Sequence, residues 1–214
     1  MEKFQIENNV LVRYSDTEEN IIIPDGITEI SYLAFKNHKN IKNILIPDSV
    51  KRIGVETFSD CVHLKNIILS NQLISISYAL FSNCLRLQSI IIPDSVTIIS
   101  PLAFHYCVNL RDIKISANIE SIGAMSFYGC FSLKNIIIPD GAKSIQDFAF
   151  ACCFGLQHIQ LPHSITEIAS SAFDGCSNLT IIAPKDSYAE QYAKDHHIKF
   201  KNSYITNEEG VDKL

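Results

Sequence analysis

The strongest constraint on this chain is a period. Phenylalanine stands at positions 35, 58, 81, 104, 127, 150 and 173, a spacing of 23 residues held without a slip over seven units. Repetition at such a period marks a stacked array, in which each unit buries its apolar surface only against its neighbours. Other columns keep the same phase. Three residues after each Phe come His38, Cys61, Cys84, Cys107, Cys130, Cys153 and Cys176. Three further on stand Ile41, Leu64, Leu87, Leu110, Leu133, Leu156 and Leu179, and then Ile44, Ile67, Ile90, Ile113, Ile136, Ile159 and Ile182. An aliphatic residue follows two later, as in Ile46 and Leu69. Next comes Pro or Ser: Pro24, Pro47, Ser70, Pro93, Ser116, Pro139 and Pro162.

The spacing within a unit has a physical reading. Leu64-x-x-Ile67-x-Leu69 ends in alternation, which suits a short strand with one buried face. Proline has no N–H and cannot extend a ladder, so it closes the strand. Pro-Asp-Gly or Pro-Asp-Ser then turns the chain. A second extended piece carries Val50 and Ile53 inward, and the stretch from Thr57 to Cys61 is expected to form one short helical or 3₁₀ turn. Stacking sets equivalent strands about 4.8 Å apart in a parallel sheet, and Phe, Cys, Leu and Ile each become a ladder along the axis.

The unit L-x-x-I-x-I-P-D-x-V-x-x-I-x-x-x-A-F-x-x-C-x-x resembles the BspA-type leucine-rich repeat, over residues 24–184. The resemblance implies a right-handed, curved leucine-rich repeat solenoid. Its parallel β-sheet would line the concave face, with short helical or extended turns on the convex side. Other leucine-rich repeats carry a buried Asn just after the strand. Here that neighbourhood holds Gly26, Ser49, Gln72, Ser95 and Gly141, so an asparagine ladder is not expected.

An array needs caps, because an open end exposes core and sheet edge. Residues 4–14 read as a β-hairpin turning at Asn8-Asn9, since Asn tolerates positive φ. Residues 1–23 are therefore assigned to an N-terminal cap and 24–184 to seven repeats. At the far end, Ser187-Tyr188-Ala189-Glu190 has the form of a capping box. Tyr188, Ala189, Tyr192 and Ala193 make an apolar stripe at helical spacing, expected to cover the last Phe and Leu. Residues 185–200 form the helical cap, with Ile198-Lys199-Phe200 as a final strand, and 201–214 form a polar tail.

Nothing in this pattern asks to be an active site. Cys61 to Cys176 recur once per unit, whereas zinc needs four ligands converging on one point. Side chains on adjacent rungs also sit too far apart for a disulfide. The ladder reads as small buried hydrophobes with free thiols. Cys152 lies off it and is the candidate for adventitious oxidation. The His residues are scattered, with no H-E-x-x-H, and no glycine-rich phosphate loop or G-x-S-x-G occurs. No catalytic residue, metal or cofactor is expected. The net charge of −5, from 18 basic and 23 acidic residues, disfavours nucleic acid as a partner. There is no apolar run of membrane-spanning length. The first residues lack a signal-peptide core, so the chain as given reads as cytoplasmic, or as surface-bound or secreted if a leader was removed.

The remaining candidate is the sheet face. Between the two inward strand positions lies an outward column: Leu45, Ile68, Ile91, Lys114, Ile137, Gln160 and Ala183. Just before the first inward position come Asn43, Asn66, Ser89, Asp112, Asn135 and His158. The apolar members either mark a partner surface or reflect the strand preference of Ile and Leu. Beside them run Lys42, Lys65, Gln88, Arg111, Lys134 and Gln157, a solvated flank or a contact for an acidic partner. The expected function is non-enzymatic binding of another protein on the concave sheet. For surface members, the resemblance implies adhesion or host contact. The alternative is a structural protein that self-associates through the apolar stripe or the sheet edge.

Overall fold

The computed structural model describes residues 3–203. A hairpin opens the chain: β1 (Phe4–Glu7) pairs antiparallel with β2 (Val10–Tyr14). Its turn residues Asn8 and Asn9 have φ of 50° and 63°, the left-handed values that a tight hairpin turn requires.

Each following coil contributes two strands, and all strand pairs beyond the hairpin are parallel. The three-residue strands build a front sheet: β3 (Asn20–Ile22), β5 (Asn43–Leu45), β7 (Asn66–Ile68), β9 (Ser89–Ile91), β11 (Asp112–Lys114), β13 (Asn135–Ile137) and β15 (His158–Gln160). β17 (Thr180–Ala183) and β18 (Lys199–Asn202) complete it. The two-residue strands line a second side in two hydrogen-bonded pieces, β4 (Glu29–Ile30) with β6 (Arg52–Ile53), and β8 (Ser75–Ile76), β10 (Ile98–Ile99), β12 (Ser121–Ile122), β14 (Ser144–Ile145) and β16 (Glu167–Ile168). The hairpin joins only this second side, where Val10 and Leu11 pair with Glu29 and Ile30. The molecule is thus a solenoid of stacked parallel-strand coils.

Register follows the period. Asn43, Ile44 and Leu45 face Asn66, Ile67 and Ile68, so like side chains stack on like. The front sheet comes in three hydrogen-bonded pieces, β3-β5-β7, β9-β11 and β13-β15-β17-β18. Each gap follows a coil with Ser in place of Pro. The buried hydroxyls of Ser70 and Ser116 donate to the carbonyls of Val50 and Val96 at 2.5 and 2.6 Å. Both bonds pull toward the preceding coil, away from the gap. Ile113, on the second of these coils, is only partly buried rather than fully inward.

The third side of each coil is neither helical nor 3₁₀, contrary to the sequence expectation for Thr57–Cys61. It is a run of tight turns. Glu56 and Asp60 have φ of 54° and 62°, outside the right-handed region that a 3₁₀ turn needs. The amides of Glu56, Phe58 and Asp60 point along the axis and donate to Tyr78, Leu80 and Ser82 of the next coil at 2.9, 3.1 and 2.8 Å. The inter-coil bonds offset the left-handed strain, which recurs even at Leu102, Met125 and Phe148.

The core is a column of rings. Neighbouring Phe centroids from Phe35 to Phe173 lie 5.1–5.7 Å apart. Tyr14 stacks on Phe35 at 5.0 Å, and Tyr192 closes the other end edge-on at 6.0 Å from Phe173. Tyr192 belongs to α1 (Tyr188–Asp195), the C-terminal cap. Ser187 accepts the Glu190 amide, and the Glu190 carboxylate returns to the Asp186 amide rather than to Ser187 itself. Ala189, Tyr192 and Ala193 are buried, but Tyr188 from the expected stripe is exposed. β18 runs parallel to β17, with Phe200 opposite Ile181. Lys201 and Asn202 belong to that strand, and the tail beyond 203 lies outside the described residues.

Candidate functional site

A three-residue strand with one inward position presents two outward positions on the same face. On the front sheet these form two parallel columns. The apolar column carries Leu45, Ile68, Ile91, Lys114, Ile137 and Gln160, none of them buried; Ile68 and Ile91 are 63% and 67% exposed. Sequence reasoning missed its first member, Ile22, also 67% exposed. Its pairing with Leu45 shows that the array begins one rung before Pro24. The isoleucine triplet 21–23 had concealed which residue points out.

The far end of the column needs correction. The last unit is one residue short between Leu179 and its strand, so Thr180 pairs with His158, 22 residues earlier. A one-residue slip swaps the faces of a strand. Ile182 therefore points outward opposite Gln160, while Ile181 and Ala183 are the buried residues. The column then ends on Lys201.

The polar column holds Asn20, Asn43, Asn66, Ser89, Asp112, Asn135 and His158. An asparagine ladder of a different kind forms here, one that the sequence reading did not anticipate. Asn66 Nδ2 donates to Asn43 Oδ1 at 2.7 Å, and Asn43 Nδ2 to Asn20 Oδ1 at 2.6 Å. His158 Nδ1 lies 3.0 Å from Asn135 Oδ1. The ladder sits at the start of the strand on the open face, not after it in the interior, so the reading of Gly26, Ser49 and Gln72 did not bear on it. These bonds hold the amides in one orientation beside the apolar column. On the outer flank Lys42 pairs with Glu19 at 2.6 Å.

The chemistry-bearing side chains elsewhere serve coil-to-coil contacts. Each ladder thiol donates to the carbonyl of a Phe in the preceding coil: Cys61 to Phe35 at 3.1 Å, Cys84 to Phe58 at 3.2 Å, and onward to Cys176 and Phe150 at 3.1 Å. All seven cysteines are free. Burial pushes Cys61 up to about 12 and Cys176 to about 11, the opposite of an activated thiolate. His38 fills the ladder's first position, with Nε2 3.2 Å from the Tyr14 carbonyl, and burial lowers its pKa. Cys152 is half-buried, its Sγ 3.5 Å from the Tyr128 hydroxyl. His196 and His197 are exposed, and His196 stacks on Tyr192 at 4.0 Å. Among the described residues no group of His, Cys, Asp and Glu is placed to hold a metal. An open cleft of about 470 Å³ lies between the last coil and α1, lined by Phe173, Cys176 and Tyr192. On the turn side, Phe131 and Phe154 stack at 5.5 Å beside Tyr106, a cluster not anticipated from the sequence although Phe131 and Phe154 stand 23 residues apart, at the same position of adjacent units.

The profile of the BspA type leucine rich repeat region matches residues 5–111 and 97–208, in six copies. The chain belongs to the BspA-type leucine-rich repeat family. The crystal structure of the T. pallidum leucine rich repeat protein TpLRR shares this fold with a TM-score of 0.78. It is 24% identical over 93% of this chain and 95% of that one. A leucine-rich repeat protein from Eubacterium ventriosum gives 0.57 at 20% identity, covering 81% of this chain and half of the other. The pneumococcal vaccine antigen PcpA gives 0.53 at 18% identity, over 99% of this chain and 46% of PcpA. No curated protein matches the chain. Leucine-rich repeat proteins generally act by binding other proteins. Among the described residues no helix is long and apolar enough to cross a membrane.

Proposed function

We propose that this BspA-type chain is a non-enzymatic binding module whose front sheet takes up another protein. The observation that carries the reading is the run Ile22, Leu45, Ile68 and Ile91, four large apolar side chains exposed on consecutive rungs beside a hydrogen-bonded asparagine ladder. Strand propensity alone explains an isolated exposed Ile. A contiguous exposed apolar stripe is the kind of surface that partners cover. Adhesion or host contact at a cell surface is the setting that this reading extends to. The test is affinity capture from the source cells and their host, with wild type and an Ile68→Lys, Ile91→Lys, Ile137→Lys variant as baits. Specific partners should be lost with the variant, and equal recovery of every partner overturns the proposal.

A second reading, self-association through the apolar stripe, rests on the same exposed run of Ile22, Leu45, Ile68 and Ile91. Sedimentation decides it. Monomers of wild type and variant at high concentration exclude this reading.

A further inference from the structure

We propose that the occupant of the front sheet is an amphipathic helix lying along the solenoid axis, with an acidic flank. This deepens the binding proposal above and rests on it. The first argument is spacing. Stacked rungs repeat every ~4.8 Å. An extended peptide laid along the stripe repeats its same-face side chains every ~6.8 Å and falls out of phase within about two rungs. A helix repeats its face every ~5.4 Å per turn and, aligned at the middle of the stripe, drifts by only ~1.5 Å, about a third of a rung, at either end of the five intervals from Ile22 to Ile137. That span of about 24 Å needs only about 16 helical residues.

The second argument is charge. The chain carries −5 overall, yet the flank of the front sheet before the strands holds Lys42, Lys65, Arg111 and Lys134, with Gln88 and Gln157 uncharged and Glu19 the one acid, paired with Lys42. Lys65, Arg111 and Lys134 are exposed, and none makes a salt bridge among the described residues. The opposite rim, just past the strand ends, carries the exposed acids Asp48, Asp94 and Asp140. A helix seated on the apolar column therefore meets positive charge on one side and negative charge on the other. Its own flanks should be acidic and basic respectively, as beside a coiled-coil seam. The apolar column is interrupted once, by Lys114 between Ile91 and Ile137. The matching helix carries a Glu or Asp in its apolar ridge at that turn. Among the described residues a second copy of this chain offers no such helix, since α1 already buries Ala189, Tyr192 and Ala193 against the last coil.

The test uses the intact protein and three labelled synthetic peptides of about 18 residues, with affinity read by fluorescence anisotropy. The first has a Leu ridge broken by one Glu, a Glu flank and a Lys flank. The second permutes the same residues into strict alternation. The third replaces the ridge Glu with Lys. The first peptide should bind at least about tenfold more tightly than the second. Lys114→Glu should weaken the first at least about fivefold and restore binding of the third. Equal or tighter binding of the alternating peptide, no binding of the first peptide, or no charge reversal at Lys114 overturns the helix. Ile68→Lys with Ile91→Lys separates the two levels. If the alternating peptide wins and the double variant loses it, the face binds but the helix is wrong. If the double variant binds every peptide like wild type, the face proposal fails as well.

Discussion

The Sγ of Cys107 donates to the carbonyl oxygen of Phe81 across one coil boundary, at 3.1 Å. The same bond recurs along the ladder, so the cysteine column is a set of hydrogen bonds as much as a set of small apolar volumes. Cys107→Ala removes both and should cost about 1–3 kcal/mol, read as a shift in the urea midpoint. Cys107→Ser, which keeps a donor, should lose less. Equal losses would mean that the bond contributes nothing.

The ladder also sets the alkaline limit of the fold. Burial raises the thiols of Cys61, Cys84, Cys107, Cys130, Cys153 and Cys176 above their ordinary range. A raised pKa means that stability is complete below the unfolded thiol value of about 8.5 and falls as pH rises toward the folded values. The melting temperature should drop from about pH 9 upward, more steeply than in a variant with Cys84, Cys107 and Cys130 replaced by Ala. In native protein at neutral pH, Cys152 should be alkylated first.

His38 works in the other direction. Burial, its main perturbation, lowers the folded pKa below the ordinary value near 6.5. The neutral ring is the form that the fold favours, so its contribution is present above about pH 6.5 and lost as pH falls through the folded value. His38→Cys, which restores the ladder residue, should flatten stability against pH on the acid side. An unchanged acid limb would assign that loss to other groups.

Phe104 lies between Phe81 and Phe127 at 5.4 and 5.2 Å and is fully buried. Phe104→Ala should cost about 3–5 kcal/mol in the denaturation midpoint. By contrast, Ile68→Lys on the open face should change stability by no more than about 0.5 kcal/mol. This contrast is what makes that variant usable as a binding probe.

The gaps after β7 and β11 should appear in hydrogen exchange. Amides at those two junctions should exchange faster than those at the paired β13–β15 junction. Uniform protection along the front sheet would mean that the serine coils do not interrupt it.

The period made the solenoid, its core columns and both front columns legible, because strict repetition turns one physical argument about a unit into seven. The errors fell where repetition fails or where a local rule has two solutions. Ile182 and Ala183 were placed on the wrong faces by a single missing residue. Ile22 hid inside an apolar triplet. The segment after Val55 has the apolar content of a helical turn, but its amides find partners in the next coil, and that choice is made by stacking. Asn43 and Asn66 were already legible as one outward column, but that their amides donate to one another, and to Asn20, depends on side-chain orientation that spacing does not carry.

The tyrosine-capped ring column has a consequence for how such a molecule can vary. Tyr14 and Tyr192 stand at the two ends, and along the axis each Phe between them stacks on the ring of the next coil. Whole units of 23 residues can therefore be inserted or removed while both terminal contacts persist. Each change alters the reach of the front face by one step of ~4.8 Å. Length is a discrete variable in this architecture, and a face of this kind can be matched to partners of different extent by counting units rather than by redesigning a surface.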